Sequence, residues 1–277
     1  MHLYALVYTG PKCYRKTSLF KLSLCGIIKS SKFLLEYNMK KILMDDGYNL
    51  WEILKKINSY KVDSKFPSLK RTIKHFDFND VYTDVLDFIE YNIDLTKELE
   101  KYFEDNIIKD SNDFAMREKA ETSLKDKWNK NSNSNKQFRE VCNDIFGIRI
   151  ITGLDQEELE CEIQDIPKTN TRYKMQMVNF YNTPKSTDDG YRGIHLYFRH
   201  NPKCYSIEIQ FWTRRDWLLN KYTHEVIYKQ RFIQKHILDY SLKLRNWLDK
   251  MPRNPKEIIS YEDYLYTMLQ SVYKEGE

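Results

Sequence analysis

An α+β protein with one sheet is what this sequence predicts, and three observations carry the expectation. Apolar residues recur at helical spacing up to about residue 127 and again from Arg215 onward. Between these regions lie four short segments rich in β-branched and aromatic residues. A polar stretch, NKNSNSNK at residues 129–136, separates the two textures. Helices, then strands, then helices, with no internal repeat and no linker demanding two domains, favour α+β.

Taken in order, residues 48–62 place Leu50, Ile53, Leu54 and Ile57 on one helical face. A longer helix follows, with Asn79 as cap before Val81, Val85, Leu86, Ile89 and Ile93, continuing with a break to about Phe103. A third helix is expected over residues 114–127. FGIRIIT (146–152) reads as a buried strand and MQMVNFY (175–181) as a second. YRGIHLYF (191–198) and YSIEIQF (205–211) alternate and complete the set. The spacing turns helical again from Arg215 to Met251, where Pro252 and Pro255 end the run, and a last helix is expected over residues 261–273.

Composition narrows the class. The chain has 277 residues, 41% hydrophobic and 31% charged, with only 8 Gly and 7 Pro, which suits a globular protein and excludes collagen-like or linker-like chains. Its 14% aromatic content excludes disorder throughout. No apolar run approaches the roughly 18 residues a membrane-spanning helix needs. Cys13, Cys25, Cys142, Cys161 and Cys204 are odd in number and scattered, with no CxxC and no HExxH, so reduced thiols in the cytoplasm are expected rather than a zinc cage or disulfide framework.

The net charge is +5, and residues 1–38 carry that same excess: Lys12, Arg15, Lys16, Lys21, Lys29 and Lys32 against Glu36. Met39 opens MKKILMDDGYNLWEILKK, which reads like a gene start. The segment is either a basic arm for nucleic acid or an over-long start or poorly ordered tail. With a start at Met39 the net charge is zero, so basicity alone is no argument for nucleic acid.

The strands carry residues suited to chemistry. In YSIEIQF, a period of two puts Ser206, Glu208 and Gln210 on one face, which is either solvated or floors a site. In YRGIHLYF, Tyr191, Gly193, His195 and Tyr197 share one face; Tyr191 and His195 either stack on and hydrogen-bond a base or serve as packing and a satisfied core histidine. Asp144 stands before the strand at Phe146, capping a turn or holding a metal. Lys119, Ser123 and Lys127 fall at i, i+4 and i+8 of the expected third helix, a solvated face or a grip for polyphosphate, with Arg117 displaced from it. There is no GxxxxGK[ST] and no GxGxxG, so side chains would have to hold any nucleotide.

Together, in this order, the blocks resemble the synthetase domain of the RelA/SpoT family, the alarmone synthetases. REKAETSLKDK (117–127) looks like the family's R-x-K-x-x-x-S-x-x-x-K nucleotide-binding segment, and NDIFGIRI (143–150) matches D-x-x-G-x-R. GYRGIH (190–195) matches GYR-x-x-H. EIQFWT (208–213), with His224 and Tyr228-Lys229, matches E-I-Q-x-x-T and its later H and YK. The resemblance covers residues 114–229. It implies a mixed, about five-stranded sheet flanked by helices, nucleotidyltransferase-like, with helical extensions at residues 39–113 and 230–277 and residues 1–38 set apart.

The resemblance further implies transfer of the β,γ-pyrophosphate of ATP to the 3′-hydroxyl of GDP or GTP, with Mg²⁺. By matching position, Arg117, Lys119, Ser123, Lys127 and Arg149 would bind ATP. Asp144 and Glu208 would be catalytic and hold the metal. Lys185, Tyr191, Arg192, His195, Gln210 and His224 would serve the acceptor. Trp212 stands where many members have Arg, and Trp217 where guanosine-specific members often carry an Asn that reads the base. No HD dipeptide occurs, so no hydrolase domain is expected, and the chain resembles a small stand-alone synthetase.

An alternative stays open: a toxin of a toxin–antitoxin pair that acts on the tRNA 3′ end. Residues 199–236 hold Arg199, Lys203, Arg214, Arg215, Lys221, Lys229, Arg231 and Lys235 against Glu208, Asp216 and Glu225, with Trp212, Trp217 and Tyr222 interleaved, which suits a single-stranded RNA end or a solvated helix face. An antitoxin partner and self-assembly through C-terminal helices belong to the same set of expectations.

Overall fold

Five strands in the order β1-β2-β5-β4-β3 make up one sheet. The structure is a computed structural model and describes residues 50–57, 59–60, 70–106, 113–164, 166, 174–185, 188–200, 203–228 and 234–250. The strands are β1 (Asp113–Glu118), β2 (Phe146–Thr152), β3 (Lys174–Asn179), β4 (Ile194–Arg199) and β5 (Ile207–Thr213). β2 and β5 run parallel and the other three pairings are antiparallel, so the sheet is mixed.

Among the described residues eight α-helices flank it: α1 (Leu50–Ile57), α2 (Phe78–Tyr91), α3 (Ile93–Asn106), α4 (Glu121–Asn131), α5 (Phe138–Val141), α6 (Gln156–Gln164), α7 (Trp217–Tyr222) and α8 (Lys235–Lys250). The expected α+β class and mixed five-stranded sheet are what the chain adopts. The expected basic segment at residues 1–38, the prolines at 252 and 255 and the helix at 261–273 lie outside the described residues.

The alternation of β5 is the key to the architecture. Ile207, Ile209 and Phe211 are wholly buried on one face, level with Phe146, Ile148 and Ile150 of β2 and Leu196 and Phe198 of β4. Leu50, Ile53, Leu54 and Ile57 of α1 and Val81, Val85 and Phe88 of α2 join the same core, and Trp51 stacks on Phe198 at 5.7 Å between ring centroids. A smaller cluster of Leu219, Leu244 and Leu248 fastens α7 to α8. The opposite face of the sheet is polar, carrying Glu208, Gln210 and His195.

Three expectations change. Residues 114–127 are not one helix: β1 pairs antiparallel with β2, and helix begins only at Glu121. Phe114 and Met116, two residues apart, pack partly buried against the core, so a long-range strand pairing overrides the local helical reading. Lys119 therefore precedes the helix, and its backbone N–H donates to Ile145 O at 2.8 Å. The cap of α2 is Asp77, not Asn79; its side chain accepts the Asn79 N–H at 2.8 Å, because the helix starts a residue before Asn79. α4 also runs into the polar stretch, ending at Asn131, whose amide donates to Lys127 O.

The break expected between residues 79 and 103 falls at buried Asn92, whose Nδ2 donates to Phe88 O at 2.7 Å. Among the described residues no helix is long and apolar enough to cross a membrane. Cys142 and Cys204 are buried free thiols and Cys161 is exposed.

Candidate active site

Strand register builds the polar face row by row. Gly147 of β2 lies opposite Arg117 of β1 and Glu208 of β5, and Glu208 lies opposite Tyr197 of β4. One row along, Arg149 lies opposite Gln210, and Gln210 opposite His195. Because strand side chains alternate, all these residues project to the side away from the apolar core. Ser206, Glu208 and Gln210 are each under 8% exposed, so this face is not simply solvated.

Glu208 is the hub. Its Oε1 accepts from Tyr197 OH at 3.0 Å and lies 3.0 Å from His195 Nδ1; its Oε2 accepts from Gln210 Nε2 at 2.8 Å and lies 3.9 Å from Arg117 Nη2. Burial alone would raise the pKa of this carboxyl, but the His195 and Arg117 interactions and the Tyr197 hydrogen bond outweigh it and hold it well below the usual range. The donors line up in one chain: Trp212 Nε1–H donates to Tyr191 OH at 2.7 Å, Tyr191 OH reaches His195 Nε2 at 2.5 Å, and Nδ1 faces Glu208.

Asp144, just before β2, bridges two ammonium groups, Lys119 Nζ at 2.6 Å and Lys127 Nζ at 2.9 Å; Lys127 also donates to Asn143 Oδ1 at 2.6 Å. Burial would raise the Asp144 pKa, yet Lys127 and Lys119 prevail and lower it. Arg149 donates from Nε to Gln210 Oε1 at 3.1 Å while its guanidinium lies 3.7 Å from the centroid of the Trp212 ring. Four cations thus surround two ionised carboxylates on one sheet face, an excess of positive charge suited to a polyphosphate. Both carboxylates offer hard oxygen donors in the ionised form, which is the donor chemistry of Mg²⁺. Among the described residues no group of three or more His, Cys, Asp or Glu forms a metal cage, so any such ion would draw its remaining ligands from substrate and water.

The expected acceptor residues are placed differently from one another. Tyr191 is 4% exposed, packed edge-to-face against Phe180, His195 and Trp212, with Lys185 Nζ 4.1 Å from its ring centroid. Lys185 also lies 3.7 Å from Asp189. Arg192 commits its guanidinium to Asp188, at 2.9 and 3.1 Å, and to Tyr191 O. Ser123 sits one turn before Lys127 on α4, and His224 in the π-helical turn Thr223–Tyr228. Trp217 opens α7.

Among the described residues, the basic groups of the stretch 199–236 are divided between the two ends of β5. Arg199 ends β4 and Lys203 follows it, whereas Arg214 and Arg215 follow the far end of β5. A seven-residue strand separates these groups by about 20 Å. Arg215 is also drawn to Leu248 O and Asp249 of α8. Lys229 and Arg231 lie outside the described residues.

Sequence reasoning did not single out Tyr197, Asn143 or Gly147 for the site. Tyr197 was findable, since it shares the period-two face of Tyr191 and His195. A β-carbon at Gly147 would stand 3.4 Å from Arg117 Nε and 3.5 Å from its Cγ, so the bare glycine is where Arg117 crosses β2 toward Glu208.

A buried sheet face bearing two ionised carboxylates among lysines and arginines has the charge pattern that suits a phosphorylated ligand. Residues 116–232 match the model for the region found in RelA / SpoT proteins. Similar solved structures include small alarmone synthetase 2 from Bacillus subtilis, 19% identical over 71% of this chain and 99% of that one, TM-score 0.42. Small alarmone synthetase 1 from Bacillus subtilis, bound to its product pppGpp, is 16% identical over 68% of this chain and 94% of that one, TM-score 0.42. A GTP pyrophosphokinase family protein from Streptococcus pneumoniae is 21% identical over 50% and 71%, TM-score 0.39. No curated protein matches the chain.

Proposed function

We propose that the chain is an ATP-dependent pyrophosphokinase that makes (p)ppGpp from GDP or GTP. The acceptor 3′-hydroxyl oxygen attacks the β-phosphorus of ATP, the bond from that phosphorus to the α–β bridging oxygen breaks, and AMP leaves with that oxygen. The observation that carries this reading is the pair of ionised carboxylates, Asp144 and Glu208, held among Arg117, Lys119, Lys127 and Arg149 on one sheet face. Pyrophosphoryl transfer asks mainly for alignment and neutralised charge, and this arrangement supplies both.

Asp144 and Glu208 are the residues to hold a divalent cation, Mg²⁺ by their chemistry, which would neutralise phosphate charge. Without substrate, Lys119 and Lys127 pair with Asp144; a polyphosphate gives those ammonium groups a stronger anion, and Arg149, steadied on Trp212, faces the same side. His195 and Gln210 fix both oxygens of Glu208 and keep its orientation independent of the ligand.

The test follows the label. Purified protein, Mg²⁺ and γ-labelled ATP are incubated with GDP, GTP, ATP or deacylated tRNA in parallel. Label on GDP or GTP is the expected result. Label on the tRNA 3′ end would replace this reading by that of a translation-blocking toxin, and label on no acceptor would overturn both.

A further inference from the structure

The turn that leads into Tyr191 and Arg192 is held in part from outside the region of the family match. Residues 188–193 have no regular structure and turn at Gly190, which sits at φ +84°. Two of their N–H groups are served locally, Gly190 donating to Asp188 Oδ1 at 2.9 Å and Tyr191 to Asp189 Oδ1 at 3.0 Å, while Arg192 donates to Asn220 Oδ1 of α7 at 3.0 Å. The Asp189 and Gly190 carbonyls are served by α8, whereas the Arg192 carbonyl accepts from Asn220 Nδ2 of α7 at 2.5 Å. Ser241 Oγ donates to Asp189 O, and Arg245 Nε donates to Gly190 O at 2.8 Å. Ser241 and Arg245 are one helical turn apart and at most 1% exposed. A β-carbon at Gly190 would meet Ser241 O at 3.1 Å, so the helix packs directly on the turn.

The guanidinium is itself anchored. Arg245 Nη1 donates to Asp216 Oδ1 at 2.5 Å, and Asp216 Oδ2 accepts from Thr213 Oγ1 and Tyr181 OH, each at 2.7 Å. Thr213 ends β5 and Tyr181 follows β3. The turn is therefore tied to the sheet through α8, by groups with no solvent to replace them.

We propose that Ser241 and Arg245 of α8 are positioning residues of the acceptor site, fixing the Asp189–Gly190 backbone and through it Tyr191 and Arg192. This rests on the reading of that loop as the acceptor half of a pyrophosphokinase. The two residues touch no substrate and act only through the loop.

The experiment compares wild type with Ser241→Ala, Arg245→Lys and the exposed control Asn246→Ala in the full chain. Two readouts are taken: amide hydrogen exchange at residues 190–192 without ligand, and KM for ATP and for GDP separately. The expected result is exchange faster by about tenfold or more in Ser241→Ala and Arg245→Lys. With it, the KM for GDP rises about fivefold or more while that for ATP stays within about twofold, and Asn246→Ala behaves as wild type. Unchanged exchange at residues 190–192, or equal rises in both KM values, would overturn the proposal. A wild type that transfers to no acceptor would remove the functional reading, while the exchange comparison would still decide whether α8 fixes the loop.

Discussion

Arg117 reaches Glu208 by crossing Gly147, bringing its Nη2 to 3.9 Å from Glu208 Oε2. The three residues sit in one row of the sheet, and the middle one contributes nothing but room. Because a β-carbon at Gly147 meets Arg117 only at ordinary contact distance, Gly147→Ala should fold and keep most of its activity. Gly147→Val adds branches where Arg117 lies and should cut turnover at least about tenfold, given that a displacement of about 1 Å can cost a hundredfold. Steady-state kinetics on the two variants would check this; equal activity in both would show that Arg117 does not need that path.

Asp144→Asn and Glu208→Gln remove charge with little change in shape. Each should lower turnover at least about a hundredfold while circular dichroism stays that of wild type. Near-normal turnover in either variant would remove that residue from the mechanism.

Gly193 bears on Arg149 through Trp212. A β-carbon at Gly193 would stand 2.9 Å from Trp212 Cδ1 and 3.1 Å from Phe211 O, too close for the indole to stay where it is. Gly193→Ala should therefore disturb the stack of Arg149 on Trp212 and cost about 1–3 kcal/mol of stability. The KM for ATP should rise in parallel. Thermal melts and ATP titrations of the variant would show a change in neither if Trp212 moves freely.

Asp216 should contribute to acid sensitivity beside Asp144 and Glu208. Burial would raise its pKa, but the charge and hydrogen bonds of Arg245, with those of Thr213 and Tyr181, hold it below the ordinary value. A carboxyl depressed in the folded state contributes stability that is fully present above its unfolded pKa of about 3.9 and is lost as pH falls through the lower folded value. Melting temperature should thus drop steeply below about pH 4, and the slope should be shallower in Asp216→Asn. That variant should destabilise the fold at pH 7 by about 3 kcal/mol, because buried Arg245 keeps only the exposed carboxylate of Asp249 as a charge partner. A slope unchanged in the variant would place the acid sensitivity elsewhere.

The legibility of this fold in its sequence follows the range of the forces involved. β2 was readable to its ends, since seven residues of FGIRIIT carry their own β signal. The face of Glu208 and Gln210 was readable from a period of two, though only the structure shows it buried. β1 was misread because an edge strand with two half-buried apolar residues exists by virtue of pairing with β2, some thirty residues away in sequence. The bonds from Arg245 to Asp216 and Gly190 span 29 and 55 residues and leave no local pattern at all. The basic cluster at 199–236 misled for the converse reason: neighbours in sequence were sent to opposite ends of a strand.

The two-sided sheet leaves a signature for genetics. Along β5, positions 207, 209 and 211 face the hydrophobic core and positions 208 and 210 face the polar network. Substitutions at the first set should appear in a selection as lost abundance, and at the second as normal abundance with lost activity. Drift in what the enzyme accepts can then proceed on one side of a strand while the other side goes on specifying the same fold.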